Sequence, residues 1–112
     1  ISAEDRCKTI LAMCDNNLNP NYLSKPGHIF PLQCHEEGLL KRQGHTESSI
    51  AILKIAKLQA VSVISEMMND NGTMMRGNDL EKFSKKYDIP IISIKEIKDY
   101  LLINSSNKSN EK

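Results

Sequence analysis

The sequence predicts an α/β (α+β) layered domain with a mixed sheet. Three observations lead there. Segments with apolar residues at helical spacing alternate with short β-branched or apolar runs. The runs on either side of Asn69-Asp70-Asn71-Gly72 are joined by a tight turn, as neighbouring strands are. The 112 residues are enough for one core and not for two. That core is modest, so part of the sheet is expected to need a partner segment.

Ser2 begins the first helix, and Glu4 and Asp5 in its first turn favour the dipole. Cys7, Ile10, Leu11 and Cys14 follow i, i+3, i+4, i+7 spacing and are expected to be its buried stripe. Asp15-Asn16-Asn17 ends it. Asn19-Pro20 reads as a cap plus an N1 proline opening a short helical turn through Tyr22 and Leu23. Pro26-Gly27 is a loop signal. Ile29 to Cys34 reads as a strand, with Pro31 implying an edge or a bulge. Gly38-Leu39-Leu40 is expected to be a second short strand.

From Thr46 to about Leu58 the pattern is helical. Ile50, Leu53 and either Ala56 or Lys57 share one face, with Ile52, Ile55 and Gln59 beside it. Apolar residues cover much of the circumference, so this helix is expected to be central. Val61 to Ser65 is a β-branched run ending at Glu66, and Thr73 to Arg76 is its returning strand. Asp79 caps a helix to about Tyr87, closed by Asp88-Ile89-Pro90. Pro90-Ile91-Ile92 reads as a short buried strand. Ser93-Ile94-Lys95-Glu96 is a capping box, opening a helix that carries Ile97, Tyr100 and Leu101. From Asn104 onward Ser, Asn, Lys and Glu dominate. The domain is therefore expected to span residues 1–103, with 104–112 a disordered polar tail.

Composition narrows the function classes. Lys and Arg number 15 against 14 Asp and Glu, which leaves no broad basic field for nucleic acid. No apolar run approaches the ~20 residues of a membrane span. The chain opens on Ile1, straight into a helix cap and with no signal-peptide pattern, which suggests an upstream segment. Cys7, Cys14 and Cys34 are odd in number and lack paired spacing, as expected of free thiols in a reducing compartment. Cys34-His35 has no C-x-x-C and no second ligand pair, so structural zinc is not expected.

Two stretches stand out as chemistry: Lys25-Pro26-Gly27-His28-Ile29-Phe30-Pro31-Leu32 and Arg42-Gln43-Gly44-His45-Thr46-Glu47. The second lies where a strand or loop turns into a helix, and free N–H groups with the dipole's positive end make that point an anion site. Arg42 adds a bidentate grip on a phosphate, Thr46 a hydroxyl, and Gly44 close backbone approach. His45 could ligate a divalent ion or polarise a carbonyl; alternatively Thr46 caps the helix and His45 is merely exposed. His28, on a stiff turn, can act as acid or base near neutral pH, or be a loop residue without a role. Glu66, at the end of a buried strand, is a candidate general base with a raised pKa, or else an ordinary solvated strand end.

Taken in order, Ser2-Ala3-Glu4-Asp5-Arg6, the Pro26-Gly27-His28 stretch, the Arg42 to Glu47 stretch and Glu66…Asn69-Asp70-Asn71-Gly72-Thr73-Met74 closely resemble the 3,4-dihydroxy-2-butanone 4-phosphate synthase family. The resemblance runs from Ile1 to about Leu101. It implies a lyase of riboflavin biosynthesis that converts ribulose 5-phosphate to 3,4-dihydroxy-2-butanone 4-phosphate and formate, using magnesium or manganese. By position, His28 and Glu66 fall on the family's acid/base residues and His45 on its metal-binding histidine. Arg42, Gln43, Gly44, His45 and Thr46 fall on the substrate-binding stretch, to which Glu66 also contributes.

The resemblance further implies a layered α/β/α sandwich, a homodimer with sites near the subunit interface, and a cytoplasmic enzyme with neither nucleic acid nor membrane as partner. Lys25 departs from the arginine usual before Pro-Gly-His; it keeps the charge and loses the planar fork. The family's N-terminal half, with an acidic loop that completes the metal site, has no match in this sequence. The fold is therefore expected to be incomplete without that half, and these residues alone to be inactive. The alternative is a sugar-phosphate-binding or structural domain of the same descent without catalysis.

Overall fold

The structure, a computed structural model, describes the backbone of residues 1–110 and the side chains of residues 1–105. Among the described residues four α-helices form: α1 (Ala3–Met13), α2 (His45–Ile55), α3 (Asn78–Tyr87) and α4 (Ile94–Asn110), with a 3-10 turn at Pro20–Tyr22. The chain divides into two compact units, Ile1–Val63 and a second beginning at Ile64.

The predicted mixed sheet is not there. Among the described residues no strand forms, and the one isolated β-bridge is antiparallel, between Met68 and Met74. The reason is physical. Apolar alternation marks a segment that suits a sheet, but a strand exists only through a ladder with a neighbour about 4.8 Å away. The segments 29–34, 61–65 and 90–92 belong to no ladder. Their Phe30, Leu32, Val63, Ile64, Ile91 and Ile92 are exposed, so Pro90-Ile91-Ile92 is not a buried strand. Gly38-Leu39-Leu40 is a turn instead. The His35 carbonyl accepts the Gly38 N–H at 2.9 Å, and the Gly38 carbonyl accepts those of Lys41 and Arg42 at 3.2 and 3.1 Å. Gly38 has φ +75°, which suits a residue without Cβ.

In the first unit, Ser2 Oγ accepts the Asp5 N–H at 3.0 Å, as its place before the helix implied. The expected stripe of α1 is not buried: Cys7 and Leu11 are exposed, Ile10 and Cys14 half-buried. Asn19 Oδ1 accepts the Asn21 N–H at 3.0 Å and opens the 3-10 turn. Gln59 Nε2 donates to the Cys14 carbonyl at 2.7 Å, tying the segment after α2 to the end of α1. The buried apolar residues here are Leu39 and Ala51. The inward residues of α2 are Glu47, Ser48 and Ala51; Ile50 and Leu53 are half-buried and Ile52 and Ile55 exposed, so the helix expected to be central buries one side only.

In the second unit, the Asn69–Gly72 turn closes as its sequence implied. Asn69 N–H donates to the Thr73 carbonyl at 2.7 Å and Gly72 N–H to the Asn69 carbonyl at 2.9 Å. The expected returning strand stops after the single bridge, since a lone hairpin is at best marginal in water. Gly77, not Asp79, is the N-cap of α3; Asp79 sits in the first turn and accepts Asn69 Nδ2 at 3.2 Å. Asp88 closes α3 in the left-handed region at φ 52°. The capping box of α4 forms in both directions: Ser93 Oγ accepts the Glu96 N–H at 3.1 Å and Glu96 Oε2 the Ser93 N–H at 2.7 Å. Ile97 is the buried apolar residue behind it. Helix α4 continues over residues 104–110, where a disordered tail was expected; residues 111 and 112 of that tail lie outside the described residues.

Candidate functional site

The turn at 35–42 delivers the chain to the start of α2, and the chemistry gathers there. Gly44 is the N-cap, extended at φ −102° and ψ 164°, with no side-chain cap hydrogen bond. Thr46 lies inside the helix and is not its cap. The cap thus offers no side-chain acceptor to the first N–H groups of α2, and although the Glu47 carboxylate in the first turn meets its own N–H, the N–H groups of His45 and Thr46 ahead of it suit an anion. His45 is exposed, Thr46 half-buried, and Gln43 and Arg42 exposed.

Beneath them sits Glu47, the buried acid of the unit. Its Oε2 accepts the His35 N–H at 2.8 Å and its Oε1 accepts from Arg42 Nη1 at 2.5 Å. The His35 N–H is the main influence holding this carboxyl below its ordinary value; burial works the other way and the bond from Arg42 adds to the lowering. Gly44 makes room for the pair: a Cβ there would collide with the Arg42 guanidinium and the Glu47 carboxylate. Leu32, Gln33, Cys34, His35 and Glu36, together with Arg42, Thr46 and Glu47, line an open groove of ≈ 690 Å³. His35 Nδ1 accepts the Glu37 N–H at 3.0 Å, an arrangement that puts the ring proton on Nε2.

His28 lies in the same unit, exposed, just after the cis Lys25–Pro26 bond. It lines a second groove of ≈ 600 Å³ together with Asp5, Arg6, Lys8 and Thr9 of α1. Glu66 belongs to the second unit. It is exposed and ends no strand, contrary to the buried strand end expected for it. The structure thus brings Arg42, Thr46 and the start of α2 to one groove and sets His28 in another.

Sequence reasoning missed two things. One is Glu47, which stands at the third position of a helix whose cap carries no side chain, where a glutamate can turn back on the first turn; that spacing was the available signal. The other is that Asp5 and Arg6, matched only as part of a motif, wall the groove of His28.

The divalent ion implied by the resemblance does not fit these residues alone. Among the described residues no group of three His, Cys, Asp or Glu side chains could hold a metal ion. His45 offers one imidazole, whereas magnesium takes carboxylates and water.

The sequence model of the family described as 3,4-dihydroxy-2-butanone 4-phosphate synthase matches residues 1–100. The chain is 48% identical over 103 residues to the 3,4-dihydroxy-2-butanone 4-phosphate synthase of Saccharomyces cerevisiae, covering 90% of this chain and 50% of that protein. It is 46% identical over 100 residues to the protein of the same name from Wigglesworthia glossinidia brevipalpis, covering 89% and 47%. It is 44% identical over 100 residues to the riboflavin biosynthesis protein RibBA of Endomicrobium trichonymphae, covering 89% and 25%. The chain spans about half the length, or less, of these relatives.

Proposed function

The chain belongs to the 3,4-dihydroxy-2-butanone 4-phosphate synthase family, and from that premise we propose that it supplies the C-terminal half of a lyase of riboflavin biosynthesis. The reaction splits D-ribulose 5-phosphate into 3,4-dihydroxy-2-butanone 4-phosphate and formate. One observation carries the reading to the site: the exposed Arg42 guanidinium and the half-buried Thr46 stand on one groove beside an uncapped helix start. That is a grip for a phosphate.

The phosphate is remote from the reacting carbons, so its binding energy positions them. Arg42 keeps its Nε and Nη2 edge for two parallel bonds to phosphate oxygens, and the N–H groups of His45 and Thr46 with the Thr46 hydroxyl complete the cradle. Gln43 and His45 are not among the residues that line the groove and join the substrate-binding stretch by the resemblance. The chemistry then asks for proton transfers: removal from carbon to give an enediol, exchange among hydroxyls during dehydration and the skeletal shift, and release of one carbon as formate. His28 is the imidazole that the resemblance places in the acid/base role, and Glu66 is the carboxylate that the resemblance pairs with it. The magnesium or manganese of the family would need donors from outside these residues, so no step is assigned to it.

The working enzyme in this reading is a cytoplasmic homodimer. Exposed Phe30, Leu32, Ile91 and Ile92 support coverage by further polypeptide, and three free cysteines suit a reducing compartment. A second reading, a sugar-phosphate-binding domain without turnover, is supported by the placing of His28 on a different groove from Arg42 and Thr46. Quantifying formate from ribulose 5-phosphate with the natural polypeptide that contains this chain separates the two. Formate release that Arg42→Ala weakens through KM supports the lyase, and heat of binding without formate supports the second reading.

A further inference from the structure

We propose that Glu47 is a positioning residue, which fixes the Arg42 guanidinium over the start of α2 without itself touching the substrate. The proposal rests on the reading of Arg42 as the phosphate grip. The carboxylate is in no position to bind a ligand. Its side chain is 2% exposed, and both of its oxygens are engaged, one by His35 N–H and one by Arg42 Nη1. The guanidinium is the opposite case: its side chain is 61% exposed, and only one of its nitrogens bonds to Glu47.

An exposed arginine normally gives up many rotamers when it binds an anion. A bond to a buried carboxylate gives them up on folding. Engagement of Nη1 leaves Nε and Nη2, the edge that meets two phosphate oxygens at once. The same carboxylate also holds the backbone at His35, so one side chain ties both walls of the groove. Because Glu47 offsets part of the Arg42 charge, what it contributes is direction and not attraction.

The test uses the natural polypeptide containing this chain and inorganic phosphate as the probe. The inhibition constant of phosphate and the KM for ribulose 5-phosphate are measured for the wild type, Arg42→Ala, Glu47→Gln and the double variant. Glu47→Gln keeps the shape and an acceptor for His35 N–H. It is expected to raise both constants roughly five- to ten-fold with kcat within about two-fold. In the Arg42→Ala background it is expected to add less than about two-fold, a non-additivity that general destabilisation does not produce. Gly44→Ala displaces the same pair without altering either charge and is expected to raise both constants likewise.

Three results overturn the proposal: unchanged phosphate inhibition in Glu47→Gln, tighter inhibition in it, or an equal loss with and without Arg42. Arg42→Ala without effect on phosphate inhibition overturns the phosphate-grip reading, and this proposal with it. A loss in Arg42→Ala alone overturns only the role of Glu47.

Discussion

Arg42 and Glu47 are bonded across a sharp change in environment: the carboxylate is buried and the guanidinium it holds reaches solvent. The pair spans the end of a turn and the first turn of α2, and the Gly44 between them has no side chain to keep them apart. Local turn, helix start and candidate ligand grip are thus one construction.

Gly44→Ala isolates that construction. The backbone angles at Gly44 are open to alanine, so far-UV circular dichroism of the variant is expected to match the wild type. The collision falls instead on the Arg42 guanidinium and the Glu47 carboxylate, and the effect is expected in KM. A loss of helix content equal to an unfolded first unit would contradict this.

Leu39 anchors the turn that presents Arg42 and is 3% exposed. Leu39→Ala leaves a cavity where the unit has few buried apolar residues, and is expected to cost about 2–3 kcal/mol in denaturant unfolding. A change within the error of the measurement would show that the turn is held by its backbone bonds alone.

Asp88 sits in the left-handed region at the end of α3, where a side chain is a burden and glycine is not. Asp88→Gly is expected to stabilise the second unit by roughly 0.5–1 kcal/mol, read as a raised melting temperature. A lowered one would mean that the Asp88 side chain contributes more than its backbone costs.

The Glu96 carboxyl is held below its ordinary value of 4.5, first by the Ser93 N–H and then by the Ser93 hydroxyl. A depressed carboxyl pKa in the folded state makes its contribution fully present above the unfolded value and lost as pH falls through the folded one. The protection of the Ser93 amide, which donates to Glu96 Oε2, measured as its exchange rate relative to the intrinsic rate at the same pH, is therefore expected to fall as the pH drops below 4.5. Glu96→Gln should remove that pH dependence, and its persistence in the variant would assign it elsewhere. Ser93→Ala is expected to cost about 1 kcal/mol at neutral pH.

Elements governed by local chemistry were legible in the sequence. Ser2, the Asn19-Pro20 pair, the Asn69–Gly72 turn and the Ser93–Glu96 box each place a side chain within a few bonds of the N–H or carbonyl it satisfies. Elements that depend on a partner were not. The apolar runs at 29–34 and 61–65 have strand-like composition, yet no ladder reaches them. Of the face of α2 expected from its pattern, Ile50 and Leu53 are half-buried while Ile52 and Ile55 beside them are exposed, and an acid held by Arg42 and His35 N–H faces inward. Of the candidate site, Arg42 and Thr46 line one groove. The strand that Glu66 was expected to end does not form, and Glu66 is exposed, as in the solvated alternative weighed for it.

The most direct measurement of the central claim is formate released from ribulose 5-phosphate by the natural polypeptide carrying this chain, compared with its His28→Ala variant. The account expects one formate for each 3,4-dihydroxy-2-butanone 4-phosphate formed by the wild type, and a loss of at least about a hundred-fold in kcat for His28→Ala with phosphate inhibition unchanged. A wild type that binds ribulose 5-phosphate and releases no formate, or a His28→Ala variant that turns over normally, would contradict it.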